Sequence, residues 1–320
     1  MSVPAALSTA VVSISPIASR LSVVTCQWSL VGGHLSVVIG TIASMWPVVG
    51  TEAVATGALT RGSLRWNYTA VYPNVYLPNN ARRDLYINTV SAWLWTGRKG
   101  IVAGRAAAAL HGVRWIKDTV PIELIGKYRR RQTGVVVRDE GTSDDEVCKI
   151  GELPVTTPAR TALDLARRLP RDAAVAHLDA LAAVTGLTAT DIASLEERHR
   201  ATRGIRAARE AFDLMDGGAR SPQETWLRLL LIDAGLPRPR TAIHVGDEGW
   251  DAVMAMGWDG PMVGLDFEGD DTDRYRVVQE IESQELFQRL GWFHIRVRPQ
   301  HTRASIVHRA RTALRQRGLS

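Results

Sequence analysis

The sequence is poor in cysteine, and this limits the metal sites and covalent cross-links that it can form. Cys26 and Cys148 are the only cysteines among 320 residues, and no Cys-x-x-Cys or Cys/His ligand spacing accompanies them. Neither a disulfide framework nor a zinc knuckle is therefore expected. This usage is typical of a protein in a reducing cytoplasm, which is the localisation we predict.

Charge is missing from the opening segment. No Asp, Glu, Lys or Arg lies between Arg20 and Glu52, and residues 30–50 are largely apolar. The glycines and the proline in this stretch, and the lack of a basic flank, argue against a membrane span or a signal peptide. We expect residues 1–50 to be a poorly patterned extension, explained by an over-extended gene start with translation beginning near Met45. A membrane anchor is the alternative.

Positive charge is in modest excess over the whole chain. Lysine and arginine number 39 against 33 acidic residues, which gives a net charge of +6 and an isoelectric point near 9.7. This balance is compatible with a polyanionic partner but does not require one. The length of the chain predicts two or three domains, and the mixture of helix and strand patterns along it predicts an α+β multidomain protein.

Residues 51–80 have the outline of a winged helix. Thr60 can cap a short helix that carries Arg61 and Arg65, and the aromatic and β-branched residues of 68–77 predict a hairpin. In a winged helix the second helix would present both arginines to a DNA groove or to phosphates. The alternative is that they only keep the surface soluble while the element docks onto the next domain.

Residues 81–216 are predicted to form a middle domain that mixes strands and helices. Two strand-like runs, 120–125 and 134–138, flank a basic loop that resembles a hairpin tip. Its arginines can pair with phosphate oxygens and its tyrosine, Tyr128, can stack on a base, although such tips are often simply solvated. The candidate phosphate contacts are Lys127, Arg129, Arg130 and Arg131.

The second half of this domain reads as helical. Thr157 is a candidate cap, and Arg160 and Asp164 lie four residues apart on one face of the helix that follows. No nucleophile or second acid is near in sequence, so we assign this pair to packing. Further helices are predicted up to residue 215, and a domain boundary is predicted at Gly217 and Gly218.

Residues 217–320 predict the element order α-β-β-β-α-β-α. The first helix begins with Ser221 as its cap, and Glu224 stands three residues later in a capping-box pattern. Glu224 therefore has a structural explanation, independent of any catalytic role. Asp266 and Glu268 lie at the end of the third predicted strand.

Five short motifs follow one another in this last segment. They are Ser221-Pro222-Gln223-Glu224, Gly235-Leu236-Pro237-Arg238-Pro239, Ala255-Met256-Gly257-Trp258, Asp266-Phe267-Glu268-Gly269-Asp270-Asp271-Thr272 and Gly291-Trp292-Phe293-His294-Ile295-Arg296-Val297. With the element order, they resemble the restriction-endonuclease-like PD-(D/E)XK core of very-short-patch-repair (Vsr) endonucleases and their actinobacterial relatives. The upstream half is similar to AbiEi-type antitoxins of abortive-infection toxin–antitoxin systems. That likeness rests on 60–76, on Ala109-Leu110-His111-Gly112 and on 157–161.

The resemblance implies a magnesium site, and this sequence departs from it. Cleavage of a phosphodiester with bound magnesium needs two or more carboxylates around the ion. In the relatives an aspartate stands where this chain has Ala255, a glutamate where it has Asp266, and a histidine where it has Thr272. Around Glu280, acids replace a basic patch. The remnant catalytic set would be Asp266, Glu268 and Glu224, with Asp266 and Glu268 as metal ligands.

The sequence thus favours a nucleic-acid-binding, antitoxin-like protein whose nuclease site is degenerate, inactive or weak. DNA and a cognate toxin are the expected partners, without a small-molecule cofactor or a membrane. One alternative is an active endonuclease with Mg²⁺ as its cofactor. The other is a protein-interaction module that does not contact nucleic acid.

Overall fold

The computed structural model describes residues 28–31, 34–37, 45–128, 130–247, 249–268 and 274–319. Most of the predicted extension, Arg129 and Thr272 lie outside these residues. The chain divides into two compact units, the first containing the described part of 1–98 with 149–153 and the second containing 99–148 with 154–320.

The first unit contains small sheets and short helices. A two-stranded antiparallel pair is formed by β1 (Trp28–Val31) and β2 (His34–Val37). The next elements in chain order are β3 (Val48–Val49), α1 (Gly50–Ala55), α2 (Arg61–Asn67), β4 (Tyr68–Tyr72), β5 (Val75–Pro78) and α3 (Leu85–Trp95). Strands β3, β5 and β4 form an antiparallel sheet in that order.

Side-chain caps determine where the helices of this unit begin. The Thr60 hydroxyl accepts a hydrogen bond from the Ser63 amide at 2.9 Å, which fixes the predicted start of α2. The Asp84 carboxylate accepts one from the Ile87 amide at 2.8 Å, so α3 begins at Leu85. The short helix predicted after Thr60 and the hairpin predicted within 68–77 are confirmed.

Residues 101–156 contain a five-stranded sheet of order β8-β7-β6-β10-β9, most of whose residues belong to the second unit. The strands are β6 (Ile101–Ala103), β7 (Ile122–Ile125), β8 (Val135–Arg138), β9 (Val147–Ile150) and β10 (Leu153–Thr156). Strand β7 is antiparallel to β6 but parallel to β8. The loop between β7 and β8 is thus a crossover, and the predicted hairpin tip was wrong.

Five helices belong to the same part of the chain, the first of them between β6 and β7. They are α4 (Gly104–Leu110), α5 (Pro158–Arg168), α6 (Arg171–Thr185), α7 (Ala189–Arg198) and α8 (Ile205–Leu214). Their buried faces join in one hydrophobic core around Leu163, Leu178 and Phe212. The predicted helices between 157 and 215 are confirmed.

Arg160 lies inside this helical layer. Its guanidinium is fully buried and pairs with Glu146, with Asp164 at 3.2 Å and with Glu140 at 3.3 Å. The neighbouring Arg168 binds Glu140 at 2.5 Å. Each acid therefore faces an arginine, which agrees with the packing role assigned to the pair of Arg160 and Asp164.

The C-terminal part of the unit has the predicted element order α-β-β-β-α-β-α. The elements are α9 (Pro222–Asp233), β11 (Arg240–Asp247), β12 (Trp250–Trp258), β13 (Val263–Phe267), α10 (Arg274–Arg289), β14 (Phe293–Val297) and α11 (Arg303–Gln316). The sheet order is β11-β12-β13-β14, with only β13 and β14 parallel. One cluster packs α9 and α11 against this sheet, and a second packs Leu286 and Phe287 of α10 against β11 and β12.

A buried ion pair joins α6 to α9. Asp179 and Arg228 are 1% and 0% exposed, and their side chains meet at 2.7 Å. Asp179 also accepts hydrogen bonds from the Thr225 hydroxyl and the Asp216 amide, both at 2.7 Å. The boundary predicted near residue 217 therefore lies inside one compact unit.

None of the helices in the described residues is both long enough and apolar enough to cross a bilayer.

Candidate carboxylate site and nucleic-acid interfaces

Asp266 lies near the end of β13 with both carboxylate oxygens engaged. One oxygen accepts a hydrogen bond from the Ala255 amide at 2.6 Å, and the other lies 2.7 Å from Nε2 of His294. His294 is itself buried, with its ring edge-on to Phe287 at a centroid distance of 5.0 Å. Since Ala255 supplies only a backbone donor and a methyl group, Asp266 gains no second carboxylate from that position.

Glu224 is buried in the first turn of α9, whose cap is Ser221. Its carboxylate accepts a hydrogen bond from the Arg220 amide at 2.8 Å, and its own amide donates to the Ser221 hydroxyl at 3.1 Å. Burial raises the pKa of Glu224, and the nearby charge of Asp266 adds to the rise. The fold thus brings Glu224 and Asp266 within electrostatic range, although Glu224 keeps its structural role.

Glu268 follows β13 and faces two arginines. Arg296 on the neighbouring β14 donates to both carboxylate oxygens, and Arg298 donates to one of them at 3.0 Å. Burial opposes ionisation of Glu268, but the hydrogen bonds from Arg296 and Arg298 outweigh it, so the pKa of Glu268 lies below its ordinary value. The carboxylate therefore carries its charge against protein cations.

The described residues contain no group of three or more His, Cys, Asp and Glu side chains that could hold a metal ion. Asp251, four residues before Ala255, is 68% exposed and lies 3.7 Å from His244. Glu280, on α10, is exposed as well.

Helix α2 presents the first candidate interface for nucleic acid. Arg61 and Arg65 are exposed and form no ion pair with the described acidic residues. The guanidinium carbon of Arg65 lies 5.4 Å from the ring centre of Trp66, and Trp66 is 73% exposed. An exposed aromatic ring beside unpaired arginines is a combination that can contact phosphates and bases.

The crossover loop between β7 and β8 presents the second interface. Lys127, Arg130 and Arg131 are exposed, and within the described chain none of them is ion-paired. Tyr128 is half-buried and lines a concavity with Arg130 and Arg131. The two interfaces belong to different units of the chain.

Three partners of the carboxylates were missed from the sequence. His294, Arg296 and Arg298 stand some thirty residues beyond Asp266 and Glu268, so no local spacing links them. The available signal was the alternation of His294 and Arg296 on one face of the last predicted strand.

Comparison with known proteins gives one family match and several similar chains. Residues 100–216 match the family model of the AbiEi antitoxin C-terminal domain. Two Mycobacterium tuberculosis proteins, the uncharacterized proteins Rv2248 and MT2308, are each 31% identical over 172 residues, which cover 52% of this chain and 62% of theirs. The alignment thus spans less than two thirds of the length of these relatives.

A crystal structure of the RV2827C protein from Mycobacterium tuberculosis overlaps 52% of this chain and 71% of that chain, with 18% identity and a TM-score of 0.37. The likeness to Vsr-type nucleases stays a prediction from the motifs. The middle segment of the chain, residues 100–216, is therefore similar to the AbiEi antitoxin C-terminal domain.

Proposed function

We propose that this chain is a nucleic-acid-binding, AbiEi-like protein whose C-terminal segment is a nuclease-type scaffold that does not cleave. The observation that carries the proposal is the pair of exposed, unpaired arginines on α2, Arg61 and Arg65, beside the exposed ring of Trp66. The α-helix–hairpin succession that contains them fits a winged helix, in which this helix contacts DNA. The match at 100–216 supports an antitoxin-like role and a cognate toxin as a protein partner.

Loss of cleavage is supported by the chemistry of the carboxylates. A magnesium ion prefers oxygen ligands in octahedral geometry, and usually takes one or two carboxylates together with water and substrate phosphate. Glu268 is neutralised by Arg296 and Arg298, and Asp266 is held by His294, so binding a cation there would first require these contacts to break. The donors present do not fit the ion.

DNA binding is tested by titration of a labelled duplex at increasing salt. We expect the affinity of the wild-type chain to fall with salt, and the slope of log K against log salt to become shallower by about 1.8 in Arg61→Ala/Arg65→Ala, since each phosphate contact contributes about 0.9. Arg206→Ala/Arg315→Ala is the matched control, because both arginines lie exposed on other helices and form no ion pair with a described acidic residue. Absence of binding at low salt would leave only the protein-interaction alternative.

Cleavage is tested separately with magnesium or manganese and varied DNA substrates. We expect no cleavage by the wild-type chain, whereas activity that appears only in Ala255→Asp supports a decayed site. Robust cleavage by the wild-type chain that Asp266→Ala abolishes would instead establish the active endonuclease.

A further inference from the structure

The crossover loop and strand β8 border an open concavity of about 550 Å³. Sites for small ligands commonly have volumes of about 300–1,000 Å³. Three kinds of group line this one, namely an aromatic ring (Tyr128), cations (Arg130 and Arg131) and a run of valines (Val135–Val137). The concavity is therefore large enough, and chemically varied enough, for an organic anion.

The parallel pairing of β7 and β8 explains why the concavity exists. The chain leaves β7 at Ile125 and must travel back along the sheet to enter β8 at Val135 beside Ile122. Strand β8 is at the edge of its sheet, so the returning loop lies next to an edge that no described strand covers. The amide of Val135 donates to the Gln132 carbonyl at 3.1 Å, which holds the end of the loop against the strand.

The charge of the lining is positive and is not cancelled locally. Arg130 and Arg131 are exposed and have no ion pair among the described residues. The nearest strand carries one acid, Glu123, but its buried carboxylate is bound to Arg138 at 2.7 Å. The two arginines are therefore available to a phosphate, which a guanidinium can bind through two parallel hydrogen bonds.

The valines and the tyrosine provide apolar and aromatic surface beside this charge. Val136 is 37% exposed, so part of the lining is uncovered apolar surface. A nucleotide combines a phosphate with a flat base that can stack on an aromatic ring. In a duplex the bases are paired and stacked inside the helix, and a base enters such a concavity only after it has left the stack.

We propose that the loop–β8 concavity binds a single nucleotide of an unpaired nucleic-acid strand, with Arg130 and Arg131 on its phosphate and Tyr128 against its base. The inference rests on the proposed function, because it names the form of nucleic acid that this interface binds. The alternative ligand is an acidic peptide that pairs as an extra strand with the edge of β8. A nucleotide fits better, since β8 offers only four residues for such pairing.

The test compares a short fluorescent oligothymidylate with a duplex of the same length, both measured by anisotropy with the full chain. Val136→Asp places a negative charge in the lining at an exposed side chain, and Val184→Asp makes the same change at an exposed valine on α6. We expect Val136→Asp and Arg130→Ala/Arg131→Ala to weaken oligothymidylate binding about tenfold or more, while Val184→Asp and Arg206→Ala/Arg315→Ala do not.

The role of the ring is tested at Tyr128. We expect Tyr128→Phe to retain oligothymidylate binding and Tyr128→Leu to lose it, since only the former keeps an aromatic face. Thymidine monophosphate should displace the oligomer, whereas displacement by polyglutamate alone would indicate a peptide site and overturn the inference.

The outcomes separate this inference from the proposed function. If Val136→Asp leaves oligothymidylate binding unchanged while Arg61→Ala/Arg65→Ala abolishes duplex binding, the concavity proposal is wrong and the proposed function stands. Equal losses for single strand and duplex would also overturn it, because they would indicate a general basic surface. If neither nucleic acid binds the wild-type chain, both fail.

Discussion

The ion pairs of Glu268 make the stability of the folded chain depend on pH in the acid range. The pKa of Glu268 in the folded chain is depressed below the ordinary value near 4.5. Its ion pairs therefore contribute their full stabilisation above pH 4.5, and this stabilisation disappears as the pH falls through the depressed pKa. We expect Glu268→Gln to reduce the free energy of unfolding by about 2 kcal/mol at neutral pH, the usual size for hydrogen bonds to charged groups. The deficit should shrink steadily below about pH 4.5.

Urea unfolding from pH 7 to pH 3.5 measures this deficit. Glu285→Gln is the matched control, because Glu285 is exposed and has no ion partner among the described residues. A deficit that stays constant across this range would show that the arginines do not hold Glu268 in its charged form.

Arg160 gives a second test at the scale of one side chain. We expect Arg160→Met to cost about 3 kcal/mol of stability, the lower end of the range for a broken buried ion pair, because Glu146 keeps Arg198 at 3.0 Å and Asp164 keeps Arg168 at 3.1 Å. The matched change Arg200→Met removes an exposed pair with Glu197 and should cost less than about 0.5 kcal/mol. Similar losses in thermal or urea unfolding would contradict a buried network.

Sequence reasoning at this scale succeeded where the chemistry is local. Thr60, Thr157 and Ser221 were predicted as helix caps, and each side chain accepts a hydrogen bond from an amide three residues later. It failed for Asp266, whose partner His294 is 28 residues away and comes close only through the parallel pairing of two strands.

Helix α9 depends on a charge supplied by α6. We expect Arg228→Met to destabilise the chain by about 3–5 kcal/mol, since Asp179 would remain buried without its cation. Asp179→Asn/Arg228→Met should recover part of the loss, because the asparagine oxygen can still accept from the Asp216 amide while its NH2 group donates to the Thr225 hydroxyl oxygen. A double mutant no better than Arg228→Met would argue against coupling.

The main error in predicting elements concerned the relative direction of β7 and β8, which were expected to be antiparallel. Alternating β-branched residues correctly predicted β7 and β8, but a periodicity of two is the same for parallel and antiparallel partners. Strands β6, β9 and β10 were missed. Strand β6 has only three residues, and β10 contains Pro154, a residue that argues against a strand. The element order from α9 to α11 was predicted because glycines and caps separate its longer segments.

The compactness of residues 99–148 and 154–320 has a consequence for the whole molecule. A fragment of residues 217–320 would lose the contact of Arg228 with Asp179 and with the Leu214 carbonyl, both at 2.7 Å. We expect this fragment to unfold at a lower temperature than the same segment in the full chain, or to lack a cooperative transition. Equal unfolding temperatures of the fragment and of the full chain in calorimetry would instead show that residues 217–320 fold as an independent domain.

For the molecule as a whole, the sequence predicted the class of fold better than it predicted the contacts of the candidate site residues. Composition and motif order were enough for an α+β chain with an antitoxin-like middle segment, which the match at 100–216 supports. The state of Glu268 depended on arginines that are distant in sequence, and the concavity beside β8 depended on the direction of two strands. Both are properties of tertiary pairing, which residue patterns do not encode locally.

The arginine pair on Glu268 has a consequence for how this region responds to its surroundings. A divalent ion held by carboxylates exchanges with the medium, so its occupancy follows the ion supply and falls when a chelator is added. Arg296 and Arg298 are part of the polypeptide, and the fold itself fixes their local concentration beside the carboxylate. This end of the sheet therefore keeps its counter-ions in chelating buffer and under magnesium starvation.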